Sequence, residues 1–135
     1  MGRGARVIVL DTHVWLWWVS QPDRLSSRAR AAIDRASRIG VCTLSALEVA
    51  LLAVRGRISL DRDIGVWVRQ ALAVSRVESL TPSADIAVAA ALLDREGFPG
   101  DPIDRVIYAT ARASRAQLVT RDRAIRAFDE QTTVW

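Results

Sequence analysis

Short, continuously apolar runs alternate along the chain with longer segments whose apolar residues recur at helical spacing. Residues 7–10 are apolar and β-branched and end abruptly at Asp11, which is typical of a strand buried on both faces. The same criteria predict strands at residues 41–43, 76–80 and 117–120, and an edge strand at 132–135. Helical spacing and capping signals predict helices at residues 12–19, 26–38, 45–54, 63–73, 83–94 and 104–114.

The alternation of strands and helices predicts an α/β fold. Right-handed crossovers would build a central parallel sheet with helices on both faces. At 135 residues the chain has the size of one domain, and neither an internal repeat nor a linker divides it, so we expect a single domain over residues 1–135. In open sheets of this class, ligands bind beyond the carboxyl ends of the strands, and residues at that edge are the first candidates for function.

Four acids are predicted to lie at this edge. Asp11 directly follows the first strand, and Asp122 follows the strand at 117–120. Glu48 lies in the first turn of the helix after the second strand, and Asp104 starts a helix after a loop rich in glycine and proline. Each acid alone is explained as well by helix capping, because carboxylates favour the positive end of a helix dipole. Together, however, they predict one acidic pocket.

Two acidic positions leave alternatives open. Ser45 and Glu48 fit a capping box, which would make Glu48 a structural residue. Asp101, beside Pro102, fits a turn or cap residue, and its alternative role is that of a fifth acid in the pocket.

Carboxylates that converge without a lysine repel one another, so the pocket calls for a cation. Oxygen ligands without histidine or thiolate partners suit Mg²⁺ or Mn²⁺, which also bind phosphate oxygens. The predicted chemistry is therefore metal-assisted hydrolysis of a phosphodiester. A Ser-His-Asp hydrolase is not indicated, because the chain has no Gly-x-Ser-x-Gly sequence and its single histidine, His13, sits beside Asp11.

The composition excludes several other classes of site. All 19 basic residues are arginine, so a P-loop protein or a Schiff-base enzyme would lack its lysine. His13 and Cys42 are the only residues of their kinds, which excludes the usual zinc sites and an intrachain disulfide. The missing disulfide favours a reducing compartment.

The first 20 residues carry a basic lead and an apolar stretch. Asp11 and His13 interrupt this stretch and no small-residue cleavage site follows, so we expect no signal peptide. No segment approaches the roughly 18 apolar residues of a membrane span. We expect a soluble, cytoplasmic protein that does not enter a membrane.

Four motifs together resemble a known family. They are Val-Leu-Asp-Thr-His-Val-Trp-Leu at residues 9–16, Ser-Ala-Leu-Glu-Val-Ala at 45–50, Asp-Pro-Ile-Asp-Arg-Val-Ile at 101–107 and Leu-Val-Thr-Arg-Asp at 118–122. In this order and spacing, the chain resembles PIN domains of the VapC type, the toxin ribonucleases of bacterial toxin-antitoxin pairs, over essentially its whole length. The resemblance implies a PIN-like three-layer α/β/α sandwich with a central, mostly parallel sheet.

The resemblance also implies roles for individual residues. Asp11, Glu48 and Asp104 match the family's three most regular metal-binding acids. Asp122 matches a fourth acid, which often acts through water, and Thr120 corresponds to the hydroxyl residue that steadies the site.

The segment at residues 101–107 holds two acids that compete for one of these positions. We favour Asp104 over Asp101, on the expectation that Asp104 directly precedes a helix. The implied activity is Mg²⁺- or Mn²⁺-dependent endoribonuclease cleavage of structured RNA, which leaves a 3′-hydroxyl and a 5′-phosphate. The implied partners are a second copy in a homodimer and a VapB-type antitoxin, whose C-terminal segment lies in a groove by the active site. The toxin would reach promoter DNA only through that antitoxin.

Arginines near the acids are candidates for RNA contacts. With five acids assigned to the site, the 19 arginines face ten remaining acids, a net charge of +9. Such an excess attracts an RNA backbone. Arg105, Arg121 and Arg123 flank the predicted acids and are the candidates for phosphate contacts, with solvated arginines that balance nearby acids as an equal alternative.

The aromatic residues of the first helix point in two directions. Trp15 and Trp18 are three positions apart and share a face, whereas Trp17 points elsewhere. We expect core packing for at least one of them and a dimer or antitoxin surface for the others. His13 is a candidate for orienting substrate or a water, with a buried, hydrogen-bonded histidine as the favoured alternative. Cys42 is predicted to be an inert strand residue.

Two other functions compete with this interpretation. A phosphatase of the haloacid dehalogenase type also begins with an apolar strand that ends in aspartate, but its second aspartate is replaced here by His13 and its lysine is absent. The alternative from another class is a catalytically silent PIN-like module that binds RNA or protein. The presence of every motif acid argues against such a loss of activity.

Overall fold

Five parallel strands form one sheet in the computed structural model, which describes residues 6–135. β1 (Val7–Leu10) is central, between β2 (Arg38–Cys42) and β4 (Gln117–Val119), and β3 (Val77–Leu80) and β5 (Thr133–Val134) form the two edges. Every pairing between these strands is parallel. The predicted parallel sheet, with its C-terminal edge strand, is therefore confirmed. The basic lead at residues 1–5 lies outside the described residues.

Helices connect the strands and cover both faces of the sheet. They are α1 (Thr12–Ser20), α2 (Ser27–Arg35), α3 (Thr43–Val54), α4 (Ile64–Leu72), α5 (Ala84–Leu92), α6 (Pro102–Ala113) and α7 (Arg123–Phe128), with short 3-10 helices at Pro22–Arg24 and Leu93–Glu96. None of the helices in residues 6–135 has the length and apolar character needed to cross a bilayer.

Alternate strand residues feed two apolar cores, one on each face. Ile8 and Leu10 of β1 join the core formed with α1, α2 and α4, whereas Val9 joins the core formed with α5, α6 and α7. This alternation follows from the period of two in a strand. The predicted three-layer α/β/α arrangement is confirmed.

The tryptophans of α1 are more deeply buried than we expected. Trp15 is fully buried and packs edge-on against Trp67 of α4, with ring centroids 5.2 Å apart. Trp17 is also buried in the same core, and Trp18 is partly buried against it. Core packing, which we expected for at least one of these residues, is therefore the environment of both Trp15 and Trp17.

Several predicted helix boundaries are also wrong. β2 begins at Arg38, so α2 ends at Arg35, with Ser26 as its N-cap. The last helix, α7, was not predicted, because six residues are too few for a helical period to show in the sequence. The start of α6 is likewise earlier than predicted, and this difference matters for the site described below.

Candidate active site

A single cavity at the carboxyl edge of the sheet contains all four predicted acids. Its volume is about 1130 Å³. Asp11 enters it directly after β1, and Asp122 enters it three positions after the end of β4, as expected for residues that follow neighbouring parallel strands. Glu48 enters from α3, and Asp104 enters from the first turn of α6. The sheet and its helices thus bring together acids that are far apart in the sequence.

Asp11 is held in a fixed orientation by hydrogen bonds to both carboxylate oxygens. Its Oδ1 accepts a bond of 2.9 Å from the backbone N–H of Thr12, and its Oδ2 accepts one of 2.7 Å from the hydroxyl of Thr120. The Thr120 side chain is fully buried and its hydroxyl accepts a bond from the backbone N–H of Asp122. Burial raises the pKa of Asp11, and the hydrogen bond from Thr120 opposes that rise.

Glu48 is not part of a capping box, so that alternative is wrong. Helix α3 begins at Thr43, directly after β2, and Ser45 lies inside it. The buried Ser45 hydroxyl instead accepts a bond of 3.1 Å from the hydroxyl of Thr12. Oε1 of Glu48 is buried and has no hydrogen-bond partner within residues 6–135. A buried, unpaired carboxylate oxygen is costly, and here it belongs to a residue that lines a cavity a cation would suit.

The pKa of Glu48 is raised for related reasons. Burial has the largest effect, and the neighbouring carboxylate of Asp11 adds to the rise, whereas the Thr12 hydroxyl opposes it. Both causes disfavour the negative charge that a metal ligand needs. A bound cation would remove both penalties.

Asp101 and Asp104 form the capping box that the sequence placed elsewhere. Helix α6 begins at Pro102, so Asp101 is its N-cap and the expectation that Asp104 directly precedes the helix is wrong. Oδ1 of Asp101 accepts a bond of 2.9 Å from the Asp104 N–H, and Oδ2 of Asp104 accepts one of 3.2 Å from the Asp101 N–H. Asp101 is exposed and does not line the cavity, whereas Asp104 does. The geometry therefore still favours Asp104.

Burial and neighbouring carboxylates raise the pKa of Asp104. Burial and the carboxylates of Asp11 and Asp101 raise the pKa of Asp104 to about 7, with a smaller contribution from Glu48. Like charges that raise one another's pKa lie close enough to repel. This is the electrostatic signature of a site that gains from a divalent cation.

The donor set fits a hydrated, hard cation. Carboxylate oxygens, one of them orphaned and buried, are the ligands that Mg²⁺ and Mn²⁺ prefer. Within residues 6–135, no three acidic, histidine or cysteine side chains stand close enough to form a ready-made ligand set. Some of the contacts would therefore run through water or need a change of rotamer, and Mg²⁺ in proteins usually keeps several waters.

Asp122 also caps a helix. Its Oδ1 accepts bonds of 2.9 and 3.0 Å from the backbone N–H groups of Ala124 and Ile125 at the start of α7. The side chain is exposed and lines the cavity, and its charge contributes to the raised pKa of Asp11.

The three predicted phosphate-binding arginines separate into two groups. Arg121 and Arg123 line the cavity. Arg105 does not, because its guanidinium forms an ion pair of 2.9 Å with Asp94 and donates a bond of 3.0 Å to the carbonyl of Gly100. We therefore assign Arg105 to bracing the loop before α6 rather than to RNA binding.

Other basic residues of the cavity were missed by sequence reasoning. Arg24, Arg57 and Arg126 line it together with Arg121 and Arg123. Arg24 and Arg57 are distant from the acidic motifs in sequence, and only the packing of α1 and α3 brings them to the site.

His13 and Cys42 have different environments. His13 is exposed and lines the cavity, so the alternative of a buried histidine is wrong. Cys42 is fully buried at the end of β2, and burial raises the pKa of its thiol, which agrees with the predicted inert role.

Comparisons with known proteins identify the family. The family model described as PIN domain matches residues 8–131. Ribonuclease VapC22 of Mycobacterium tuberculosis is 41% identical over 130 residues, which cover 95% of this chain and 98% of that protein. The chain belongs to the VapC group of the PIN-domain family. The haloacid dehalogenase alternative is thereby removed.

Solved structures share the fold of this PIN domain. A toxin-antitoxin complex from Klebsiella pneumoniae contains a chain with a TM-score of 0.68 and 21% identity, covering 95% of this chain and 96% of that one. A DNA-bound VapBC from Salmonella typhimurium gives a TM-score of 0.66 and 20% identity, covering 96% and 97%. At these identities the likeness shows the fold, which agrees with the predicted PIN-like sandwich.

Proposed function

We propose that residues 1–135 form a single PIN domain that hydrolyses RNA with the help of Mg²⁺ or Mn²⁺. The observation that carries this proposal is the cavity in which four carboxylates meet and Oε1 of Glu48 is buried without a partner. The 41% identical relative is named a ribonuclease, which supports RNA as the substrate. The proposed metal-binding and catalytic residues are Asp11, Glu48, Asp104 and Asp122.

Each part of the site has its own task in this proposal. A bound divalent cation lowers the pKa of water and offsets charge on the phosphate. Thr120 holds Asp11 in its orientation, and a divalent cation held by Glu48 and Asp104 would offset the repulsion between these two carboxylates. Arg121 and Arg123 supply charge for the RNA backbone. Exposed His13 can orient the substrate or a water; Asp101, as a cap, supports Asp104 from outside the cavity.

The test compares two aspartates that both cap helices. Asp63 caps α4 through a bond of 3.0 Å from the Val66 N–H and does not line the cavity. Because asparagine caps as well as aspartate, Asp63→Asn is a matched control for Asp11→Asn. With Mn²⁺ and total RNA, we expect the wild type and Asp63→Asn to cleave, and Asp11→Asn to lose most activity.

Two results would contradict the proposal. Equal cleavage by the wild type and Asp11→Asn would remove the acids from the reaction. If no variant cleaves RNA with either metal while RNA binding persists, the chain is the catalytically silent module. Chelation with EDTA should stop cleavage, and re-addition of Mn²⁺ should restore it.

We further propose that the chain acts in the cytoplasm as a toxin, as a homodimer neutralised by a VapB-type antitoxin. Its structural neighbours include a toxin-antitoxin complex and VapBC complexes, and three of the neighbours are bound to DNA. In this proposal the toxin contacts DNA only through the antitoxin. Induced expression should arrest growth, and co-expression of the protein encoded by a short adjacent reading frame should relieve the arrest. Light scattering would measure the oligomeric state, and harmless expression of an active ribonuclease would contradict the toxin role.

A further inference from the structure

Trp17 lies at the cavity wall, outside the group of acids. It belongs to α1 and is 6% exposed, so its ring is a fixed part of the wall. The ring of His13 lies 5.7 Å from it and the ring of Trp135 lies 6.0 Å from it, measured between centroids. All three rings border the cavity.

Two guanidinium groups lie over this indole. Cζ of Arg24 is 4.5 Å from the ring centroid, and Cζ of Arg121 is 5.6 Å from it. Both distances are within the roughly 6 Å over which a cation is attracted to an aromatic face. Arg24 comes from the 3-10 helix after α1, whereas Arg121 follows β4, so Trp17 holds together two arginines that the chain supplies from different places.

Neither arginine forms an ion pair with a carboxylate in the part of the chain that the structure describes. The ion pairs within residues 6–135 involve Arg38, Arg62, Arg105 and Arg112. The guanidinium of Arg24 donates a long hydrogen bond of 3.5 Å to the amide oxygen of Gln21. Stacking on an indole uses the planar face of a guanidinium and leaves its N–H edge available for an anion.

The cavity is large for a site that binds one phosphate. Its volume of about 1130 Å³ exceeds the roughly 300–1,000 Å³ of most small-molecule pockets. Besides the four acids, five arginines line it, and we call these the arginine wall: Arg24, Arg57, Arg121, Arg123 and Arg126. A cavity with separate acidic and basic residues suits a strand of RNA that places one phosphate at a cation and its neighbours on arginines.

We propose that Trp17 holds Arg24 and Arg121 as a subsite for RNA phosphates that flank the cleaved one. Trp17 is a positioning residue, since it acts through the two arginines. The subsite reads the backbone and not the bases. This inference rests on the proposed ribonuclease function, because it assumes that RNA is the substrate.

The experiment measures RNA binding without cleavage. The probe is a fluorescein-labelled oligouridylate of 12 nucleotides, titrated with the full chain in EDTA and followed by fluorescence anisotropy over a range of KCl concentrations. Each lost phosphate contact should make the slope of log K against log salt shallower by about 0.7, which corresponds to about fivefold weaker binding at 0.1 M salt. Arg24→Ala and Arg121→Ala should each show both changes.

The matched control is Arg62→Ala. Arg62 is exposed, pairs with Asp61 and does not line the cavity. Its loss removes the same charge from the molecule but takes away no group that lines the cavity. We expect an affinity and a salt slope close to those of the wild type.

The positioning role of Trp17 is tested by a double-mutant cycle with Arg24. Trp17→Leu should weaken RNA binding. The loss of binding free energy in the double variant Trp17→Leu/Arg24→Ala should be smaller than the sum of the losses in the two single variants. Trp17→Phe keeps an aromatic face and should fall between the wild type and Trp17→Leu. Because Trp17 is buried, thermal unfolding is measured for each variant. If Trp17→Leu does not fold, the cycle is run with Trp17→Phe.

Two outcomes would overturn the subsite. One is wild-type affinity and salt slope in both Arg24→Ala and Arg121→Ala. The other is unchanged RNA binding together with weaker binding of a co-purified antitoxin, which would make the arginine wall a protein-binding surface. Failure of the proposed function has a different signature, since it would leave Asp11→Asn as active as the wild type. The two failures are therefore distinguishable.

Discussion

The hydroxyl of Thr120 donates a hydrogen bond of 2.7 Å to Oδ2 of Asp11, 109 positions earlier in the chain. The same hydroxyl accepts a bond of 3.1 Å from the backbone N–H of Asp122. One buried side chain thus connects the acids that follow the paired strands β1 and β4. The orientation of Asp11 is set by the sheet before any ligand arrives.

Thr120→Val keeps the shape of the side chain and removes its hydroxyl. Oδ2 of Asp11 then loses its donor and the Asp122 N–H loses its acceptor, so we expect the free energy of unfolding to fall by about 1–3 kcal/mol. RNA cleavage should fall as well, because Asp11 is no longer held in place. Urea denaturation and cleavage assays measure the two effects. Thr120→Ser keeps the hydroxyl and should behave nearly as the wild type, whereas equal loss in both variants would show that the methyl group matters instead.

Glu48→Gln removes a negative charge that destabilises the metal-free protein. Since burial and Asp11 raise the pKa of Glu48, the variant should be at least as stable as the wild type without metal. It should bind Mn²⁺ more weakly, and the rise in Tm on addition of Mn²⁺ should shrink. The control is Glu130→Gln, whose side chain is exposed outside this cavity. A drop in metal-free stability without loss of metal binding would mean that Glu48 is structural.

The metal-free protein should lose stability as the pH rises. In the folded state the pKa of Asp104 is about 7, against an ordinary value of 3.8, so between these values the folded chain binds a proton that the unfolded chain has released. Stability from this group is therefore fully present below about pH 4 and is lost as the pH rises towards 7. The raised pKa of Asp11 acts in the same direction.

The measurement is the urea midpoint from pH 4 to pH 8 in EDTA. Asp104→Asn should flatten the decline, because asparagine does not titrate. Asp34→Asn, an exposed position outside the cavity, should leave the decline unchanged. Mn²⁺ should stabilise the wild type more at pH 8 than at pH 5, since protons compete for the same carboxylates. An identical pH profile in Asp104→Asn and the wild type would contradict the raised pKa.

Gly100 is a position where any side chain would disturb the site. A Cβ there would lie 2.6 Å from Cβ of Asp104 and 2.6 Å from a ring carbon of Phe98. Gly100→Ala should therefore displace Asp104 and weaken Mn²⁺ binding, as measured by calorimetry. Gly65→Ala in α4 is the control, because its new Cβ would meet only side-chain atoms at 3.3 Å. Unchanged Mn²⁺ affinity in Gly100→Ala would show that Asp104 does not bind the metal.

The sequence predicted the sheet well because its signal is local. Val7–Leu10 is apolar on every residue, and both faces of β1 are indeed buried by helices. The capping box at Ser45 was wrong because β2 runs directly into α3, and the Ser45 hydroxyl is used by Thr12. A bond between residues 33 positions apart outweighs a local capping pattern, and the sequence alone does not reveal it.

The candidate site was predictable where a motif marks a strand end. Asp11 and Asp122 follow β1 and β4, and the topology of a parallel sheet places them together. Arg24 and Trp17 were not predicted as neighbours of this site, because their positions follow from how α1 and the 3-10 helix pack. Arg105 looked suitable beside Asp104, but its guanidinium is occupied by Asp94.

The capping box of Asp101 and Asp104 at the start of α6 couples ion binding to the stability of the helix terminus. Oδ2 of Asp104 accepts the backbone N–H of Asp101. If that carboxylate rotates towards a bound ion, the N-terminus of α6 loses this capping hydrogen bond. Ion binding would then be coupled to fraying of this helix terminus. Hydrogen exchange at the Asp101 amide would therefore report the occupancy of the ion site.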